Sequence, residues 1–319
     1  MIWTSYPRCW LRSPPDSIMS NELKNKLLVF IHQPKTGGLT LKTVIRRKYP
    51  WQAIFEIDDV SPETIQASFN ELRALKPEDK QRIRCVLGHM PMGVHRFLPL
   101  EPVYITMLRD PVERSISHYY HIYSHTRNWG QEDIVAKKAT IEDYLTWTDE
   151  YGFSNLQTRC LVEPPVELWD NIVGPHPPLE ASALEEAKKN LVERFAACGT
   201  VERYDETLLV VKKALGWKNM FYGKVNVTRG RKPRAEISAS TIARIEELNW
   251  MDLELWKFVN TELLDAQIAK YGPSFEEDLR AFEVWNKRYV PVRRASKMIE
   301  EIRVKVRLRT RLKKVLSGT

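Results

Sequence analysis

Two glycines and a lysine near the start of the chain form a combination that suits the binding of an anion. Residues 35–38 (Lys-Thr-Gly-Gly) directly follow the apolar run 27–31 and precede a helical pattern. Glycine lets the backbone approach an anion closely, the helix N-terminus offers unpaired N–H groups, and Lys35 adds a full charge. Thr36 and Thr40 add hydroxyl donors. The alternative is an ordinary strand-to-helix turn that happens to contain a lysine.

A second candidate anion site follows the apolar run 103–108. Arg109 stands at the end of this predicted strand, and the sequence 110–113 (Asp-Pro-Val-Glu) begins a helix with an Asp N-cap, an early Pro and the Glu of a capping box. Two turns along, Ser117 can lean its hydroxyl back toward the helix start. An arginine and a hydroxyl converging there would bind an anion, although Arg109 could instead be a structural partner of Glu113.

One histidine stands where a catalytic group would be useful. His89 ends the strand predicted over 82–88, and the proline and glycine in residues 90–93 prevent that strand from continuing. In a parallel sheet the carboxyl ends of the strands share one edge, so His89 should face the same edge as Lys35. The alternative is that His89 only caps the turn.

Predicted strands and helices alternate along the chain around these residues. This order predicts an α/β fold, a single domain with a central, mainly parallel sheet flanked by helices. A capping hydroxyl predicts a helix that begins at Ser61, a capping box at residues 182–185 (Ser-Ala-Leu-Glu) predicts another, and Gly216 should end a third. We expect a leader over 1–22, a domain over 23–285 and a basic tail over 286–319. The predicted strands are 27–31, 53–57, 82–88, 103–108 and 196–201.

Composition narrows the class of protein. With 319 residues, 43% of them apolar, the chain can bury a sizeable core and is expected to be soluble. The net charge of +8 is uneven, because residues 286–319 hold 12 Lys and Arg against Glu300 and Glu301. We expect this tail to be a solvated arm or to contact an anionic surface or polymer, without specific recognition of nucleic acid.

The apolar segments and the cysteines predict the cellular location of the protein. No stretch approaches the ~20 apolar residues of a membrane span, and residues 1–20 lack the apolar centre of a signal peptide. The leader is expected to be disordered, or translation starts at Met19. Scattered cysteines favour free thiols in a reducing compartment, so the prediction is a cytoplasmic protein. These cysteines are Cys9, Cys85, Cys160 and Cys198.

Two stretches carry a resemblance to a known family. FIHQPKTGGLTL at 30–41 and ITMLRDPVERSISHYYH at 105–121 closely resemble the nucleotide-binding signatures of sulfotransferases that use 3′-phosphoadenosine 5′-phosphosulfate (PAPS). A Walker motif is excluded, because there the glycines come before the lysine. The resemblance is to the carbohydrate branch that acts on heparan chains and to its free-standing bacterial relatives. It covers most of residues 27–260 and implies their P-loop-like fold.

The resemblance also implies roles for individual residues. His89 matches the catalytic base, and Lys35 would stabilise the leaving phosphate. The donor would be PAPS, the product 3′-phosphoadenosine 5′-phosphate (PAP), and the acceptor a hydroxyl-bearing molecule such as a glycan, with no metal. Arg229 and Arg231 are candidates to close over the nucleotide. The implied nucleotide contacts are Lys35, Thr36, Gly37, Gly38, Leu39 and Thr40 at the 5′-phosphosulfate, with Arg109 and Ser117 at the 3′-phosphate.

Two other functions are also compatible with these sequence features. The strand, loop and helix around Lys35 would also suit a nucleotide-dependent kinase, although no acidic residue after a strand stands out as a magnesium ligand. A protein that binds a polyanion through residues 286–319, with a vestigial nucleotide site, is the alternative that is not an enzyme. Binding of PAP without metal would argue against the kinase, and sulfuryl transfer after deletion of the tail would argue against a purely binding role.

Overall fold

A computed structural model describes residues 23, 25–57, 61–124, 138–147, 154–172, 177–223 and 231–289. Within them, five strands form one sheet, in agreement with the predicted fold class. They are β1 (Lys26–Ile31), β2 (Ile54–Glu56), β3 (Cys85–Gly88), β4 (Glu101–Leu108) and β5 (Phe195–Thr200). The strand order is β2-β3-β1-β4-β5, and every neighbouring pair is parallel.

Helices flank the sheet on both faces. The first eight are α1 (Gly38–Ile45), α2 (Pro62–Ala74), α3 (Pro77–Lys80), α4 (Pro111–Ser124), α5 (Ile141–Trp147), α6 (Leu156–Cys160), α7 (Ser182–Glu193) and α8 (Tyr204–Ala214). They are followed by α9 (Ala239–Leu248), α10 (Trp250–Phe258), a π-helical turn (Val259–Leu263), α11 (Leu264–Tyr271) and α12 over residues 275–289. The last helix runs across the expected boundary after residue 285.

The apolar content of β1 explains its central place. Leu27, Val29 and Ile31 pack into the core on one face of the sheet, whereas Leu28 and Phe30 pack into the core on the other. A strand with five consecutive apolar residues is stable only where both of its faces are covered, as in the middle of a parallel sheet. The loop that follows β1 therefore lies at the centre of the carboxyl edge.

The strand order also creates a crevice at that edge. From β1 the chain passes through α1 toward β2, whereas from β4 it passes through α4 toward β5 on the opposite side. Neighbouring strands whose connections diverge in this way leave a gap between their loops, and ligands bind there in open α/β sheets. The loops after β1 and β4 face this gap.

Helix starts agree only in part with the predicted caps. The Ser61 side chain accepts from Thr64 N as expected. Asp110 Oδ1 accepts from Val112 N (2.7 Å) and Glu113 N (3.0 Å), but Asp110 N donates to Glu202, so Glu113 does not complete the predicted capping box.

The predicted capping box at the start of α7 is wrong. Ser182 is already the first residue of the helix, the N-cap position belongs to Ala181, and no side chain caps this end. A capping side chain must come from a residue that is still outside the helix, so Ser182 stands one position too late to fill this role. At the end of α8, Gly216 has the positive φ (62°) of a helix-stop glycine, as predicted.

Two features of the structure relate to the expected cellular location, namely the state of the cysteines and the length of the helices. Among the described residues, Cys85, Cys160 and Cys198 are free thiols, and burial raises the pKa of each. No helix in the described part of the chain is long and apolar enough to cross a membrane.

Candidate functional site

The loop after β1 has the backbone of an anion-binding turn. Lys35 (φ 67°) and Gly37 (φ 71°) both adopt the left-handed region, which a lysine enters only at a cost of ~1 kcal/mol or more. Turns with alternating backbone handedness point successive N–H groups inward and form a concavity for anions. Gly37 is also the N-cap residue of α1, so the positive end of that helix lies at the same place.

Close contacts explain why both loop positions are glycine. A Cβ atom on Gly37 would lie 3.2 Å from Tyr204 Cε2, and one on Gly38 would lie only 1.8 Å from His32 Cδ2. The ring of Tyr204 and the ring of His32 thus border the loop. A side chain at residue 38 would require His32 to leave its position.

The two threonines lie in the loop, but their hydroxyl groups have protein partners. Thr36 Oγ1 donates to Gln33 O (2.8 Å), and the Thr40 hydroxyl is hydrogen-bonded to that of Tyr204. Leu39 is 36% exposed beside them. Both hydroxyl groups that were predicted to bind the anion are therefore already hydrogen-bonded inside the protein.

Arg109 joins the two predicted anion sites. It follows β4 directly, and its Nη1 donates to Lys35 O at 3.0 Å, although 74 residues separate the two positions. Arg109 Nη2 also lies 3.4 Å from Glu113 Oε2, so the structural pairing considered from the sequence exists as well. The Arg109 guanidinium therefore contacts both the phosphate loop and Glu113.

Arg231 completes a group of cations around this loop. Its Nη2 pairs with the same Glu113 oxygen that faces Arg109. The Nε atoms of Arg109 and Arg231 are both buried, and within the described residues neither has a hydrogen-bond acceptor. Buried guanidinium nitrogens normally have an acceptor, so two of them at one place indicate a site built for an anion.

Electrostatics agree with this interpretation. Burial, followed by the positive charges of Arg109 and Arg231, lowers the pKa of Lys35 to about 8. Burial and the neighbouring Arg231 likewise lower the pKa of Arg109. Arg109 and Arg231 share the Glu113 carboxylate, and Lys35 lies within electrostatic range of both arginines. A bound anion would relieve the repulsion among these three cations.

Gln157 connects the two sides of the site. Its backbone O accepts from Gln33 Nε2 (3.4 Å), its Oε1 accepts from Arg109 N (2.9 Å), and its Nε2 donates to Arg109 O (2.9 Å). Gln157 is fully buried, and the buried Asp252 carboxylate accepts from the N–H groups of Gln157 (3.0 Å) and Thr158 (2.7 Å). Gln157 and Thr158 therefore brace the site from inside the protein.

His89 lies at the end of β3, on the same sheet edge as the phosphate loop, and it is half-buried. Its ring packs against that of His32, with 4.7 Å between centroids and 48° between planes. Sequence reasoning missed His32, whose place directly after β1 is the signal that could have identified it.

His118, on α4, is a second histidine that sequence reasoning missed. Burial, Arg114, Lys35, His121 and His89 lower its pKa well below 6.5, and its Nδ1 is 2.9 Å from Tyr144 Oη. Lys35 and His89 therefore both lie within electrostatic range of this imidazole.

Two predicted nucleotide contacts, Ser117 and Arg229, have not yet been placed in the structure. Ser117 is buried on α4, the helix that begins beside Arg109. Arg229 lies outside the described residues. Within the described part of the chain, no three His, Cys, Asp or Glu side chains cluster as metal ligands would.

A parallel sheet with a glycine-containing turn after its central strand, and with arginines beside that turn, is typical of α/β proteins that bind phosphate groups or nucleotides. The family model described as galactose-3-O-sulfotransferase matches residues 20–295, and the chain belongs to that family. The predicted resemblance to carbohydrate sulfotransferases is therefore confirmed at the level of the family.

A curated relative points the same way. Over 218 residues the chain is 26% identical to the heparan sulfate 2-O-sulfotransferase of Caenorhabditis elegans. The match covers 60% of this chain and 62% of that protein, so the chain spans less than two thirds of the relative's length.

Proposed function

We propose that this protein transfers the sulfuryl group of PAPS to a hydroxyl group of a glycan. The observation that carries the proposal is the convergence of Lys35, Arg109 and Arg231, with two buried guanidinium nitrogens for which the described residues offer no acceptor. Family membership supports sulfuryl transfer over the kinase and over the protein that only binds a polyanion.

The two halves of the site suit the two ends of the donor. Lys35 and the backbone of residues 36–40, at the positive end of α1, would hold the 5′-phosphosulfate. Arg109, Arg231 and the hydroxyl of Ser117 would hold the 3′-phosphate, for which arginine provides paired N–H donors. Arg229 stays a candidate for the same phosphate. A nucleotide with phosphate on both sides of its ribose satisfies both halves, whereas ATP lacks the 3′-phosphate.

His89 is the proposed base. The oxygen of the acceptor hydroxyl forms a bond to sulfur while the bond from sulfur to the 5′-phosphate oxygen breaks, and the hydroxyl proton passes to His89. Lys35 and the N–H groups of the loop stabilise the charge that develops on the departing phosphate. The protein contributes placement and electrostatics rather than a covalent intermediate, and an imidazole suits proton uptake near neutral pH.

The acceptor is assigned only by chemical class. The relative is named for heparan sulfate and the family for galactose, and both names specify a sugar hydroxyl. We also propose a cytoplasmic location and contact of residues 286–319 with an anionic surface or polymer, on the strength of composition alone.

Transfer of labelled sulfate tests the proposal directly. The full chain is incubated with PAPS carrying a labelled sulfuryl group and with galactose-terminated glycans, heparan-type chains and small hydroxyl metabolites. We expect label on a glycan and stoichiometric release of PAP. Tight binding of PAP with no transfer to any acceptor would favour the vestigial site instead, and magnesium-dependent phosphoryl transfer from ATP would favour the kinase.

A further inference from the structure

We propose that His32 is a positioning residue whose buried, flat ring holds the imidazole of His89 in place beside the phosphate loop. This inference rests on the proposed function, because it assigns a task to His32 only if His89 is the base. It adds a residue that touches neither donor nor acceptor but joins the two parts of the site that must be aligned.

The position of His32 is fixed from several sides. It directly follows β1, and its backbone N donates to Gly88 O at 2.9 Å, which ties it to the residue before His89. Its ring stacks on that of Phe30 (5.7 Å between centroids, 21° between planes) and packs against that of His89 (4.7 Å). One side of the His89 ring is therefore supported by a ring that is itself held by the sheet.

The same ring also contacts the phosphate loop. The space that a Cβ atom on Gly38 would occupy is filled by His32, with Cδ2 only 1.8 Å from that point. Gly38 is the first residue of α1, whose N-terminus faces the anion site. The His32 ring thus separates the loop that would hold the donor from the residue that would take the acceptor proton, and it sets the spacing between them.

Burial argues against a direct chemical role for His32. Its side chain is only 4% exposed, so an acceptor hydroxyl has no access to it. Burial, followed by the charges of His89, Lys42 and Lys35, lowers the pKa of His32 well below 6.5. At neutral pH the ring is uncharged, and it therefore adds no repulsion when His89 takes up a proton.

Two substitutions separate the ring from its polar atoms. His32→Phe keeps a flat ring, whereas His32→Gln keeps a polar side chain without one. We expect His32→Phe to retain kcat within about threefold and His32→Gln to lose about tenfold to a hundredfold, since small misplacements of catalytic groups have effects of that size. The Kd for PAP, measured by calorimetry on the full chain, should stay within about threefold in both variants.

The reverse pattern would overturn the inference. If His32→Gln keeps the kcat of the unsubstituted protein, or if His32→Phe loses as much as His32→Gln while still binding PAP, the ring is not what matters. Should His32→Gln fail to fold, His32→Met fills the space with a flexible apolar chain and offers the same comparison with His32→Phe. We expect His32→Met to have a low kcat with unchanged affinity for PAP, and a normal kcat of this variant would refute the role proposed for His32.

A third variant keeps this test apart from that of the proposed function. His89→Ala should lose turnover and still bind PAP. If His89→Ala turns over normally, the assigned base is wrong, whatever His32 does. If His89→Ala is inactive and both His32 variants are fully active, the base stands and only the role of His32 is refuted.

Discussion

The two halves of the anion site are built in different ways. The phosphate loop lies within residues 33–40, and its left-handed lysine and glycine, its internal hydrogen bonds and its helix N-terminus all come from that one segment. The arginine half is assembled from Arg109, Glu113 and Arg231, and 118 residues separate Glu113 from Arg231. The first half is a property of local sequence, whereas the second exists only when the chain is folded.

This difference predicts different responses to substitution. A change in the loop should act directly on the group that reacts, because the loop is proposed to hold the phosphosulfate. A change in the arginine half should act on nucleotide affinity and depend on the residues that brace it.

Lys35→Ala should have the largest effect. Removing a preorganised positive charge beside the leaving phosphate is expected to lower kcat by about a hundredfold to a thousandfold. Single-turnover transfer of labelled sulfuryl measures this loss. The exposed Lys218 provides the control, since Lys218→Ala removes a lysine charge outside the loop. Normal turnover of Lys35→Ala would remove the loop from the proposed chemistry.

Arg109→Ala and Arg231→Ala should act on affinity instead. Each is expected to raise the Kd for PAP by about tenfold to a hundredfold through the loss of charge-assisted hydrogen bonds. Arg234→Ala is the matched control, because Arg234 pairs with Asp110 and Glu246 rather than with Glu113. Calorimetry with PAP and with adenosine 5′-phosphate gives the comparison. An unchanged Kd for PAP would show that the 3′-phosphate binds elsewhere.

The affinity for PAP should fall as pH rises above about 8. The pKa of Lys35 is about 8 in this structure, and a bound phosphate would raise it by favouring the charged form. Binding therefore requires protonated Lys35, so affinity is full below that pH and declines by up to about tenfold per unit above it.

Calorimetry between pH 7 and 9.5 checks this, in a range where the phosphates themselves no longer titrate. Lys35→Arg, which stays charged, should flatten the profile. A flat profile for the unsubstituted protein would show that the loop does not depend on the charge of Lys35.

Gln157→Leu should have the smallest effect on binding. It removes both hydrogen bonds to the backbone of Arg109 and leaves buried groups unpaired, so we expect the free energy of unfolding to fall by about 1–3 kcal/mol and the Kd for PAP to rise a few-fold.

Gln66→Leu is the matched control, because Gln66 bonds Trp169 O and Ile172 N. Urea unfolding should detect both substitutions, whereas only Gln157→Leu should weaken PAP binding. Equal PAP affinity in the two variants would reduce Gln157 to a general structural role.

Local signals predicted much of this molecule. The apolar runs located the five strands of the described residues, and Ser61, Asp110 and Gly216 marked helix ends, because each of these features acts within a few residues of its own position. The capping box at Ser182 failed for the same reason, since a shift of one residue in the start of the helix removed its geometry.

Periodicity and contiguous motifs in the sequence specify the strand, loop and helix around Lys35, the parallel α/β class and the family. Folding is needed to bring Arg231 to the Glu113 that Arg109 also contacts, Gln157 to Arg109, and His32 between the phosphate loop and His89. These contacts join segments that are distant in the chain. Their partners are selected by sheet order and by the packing of loops at one edge, which no local pattern specifies.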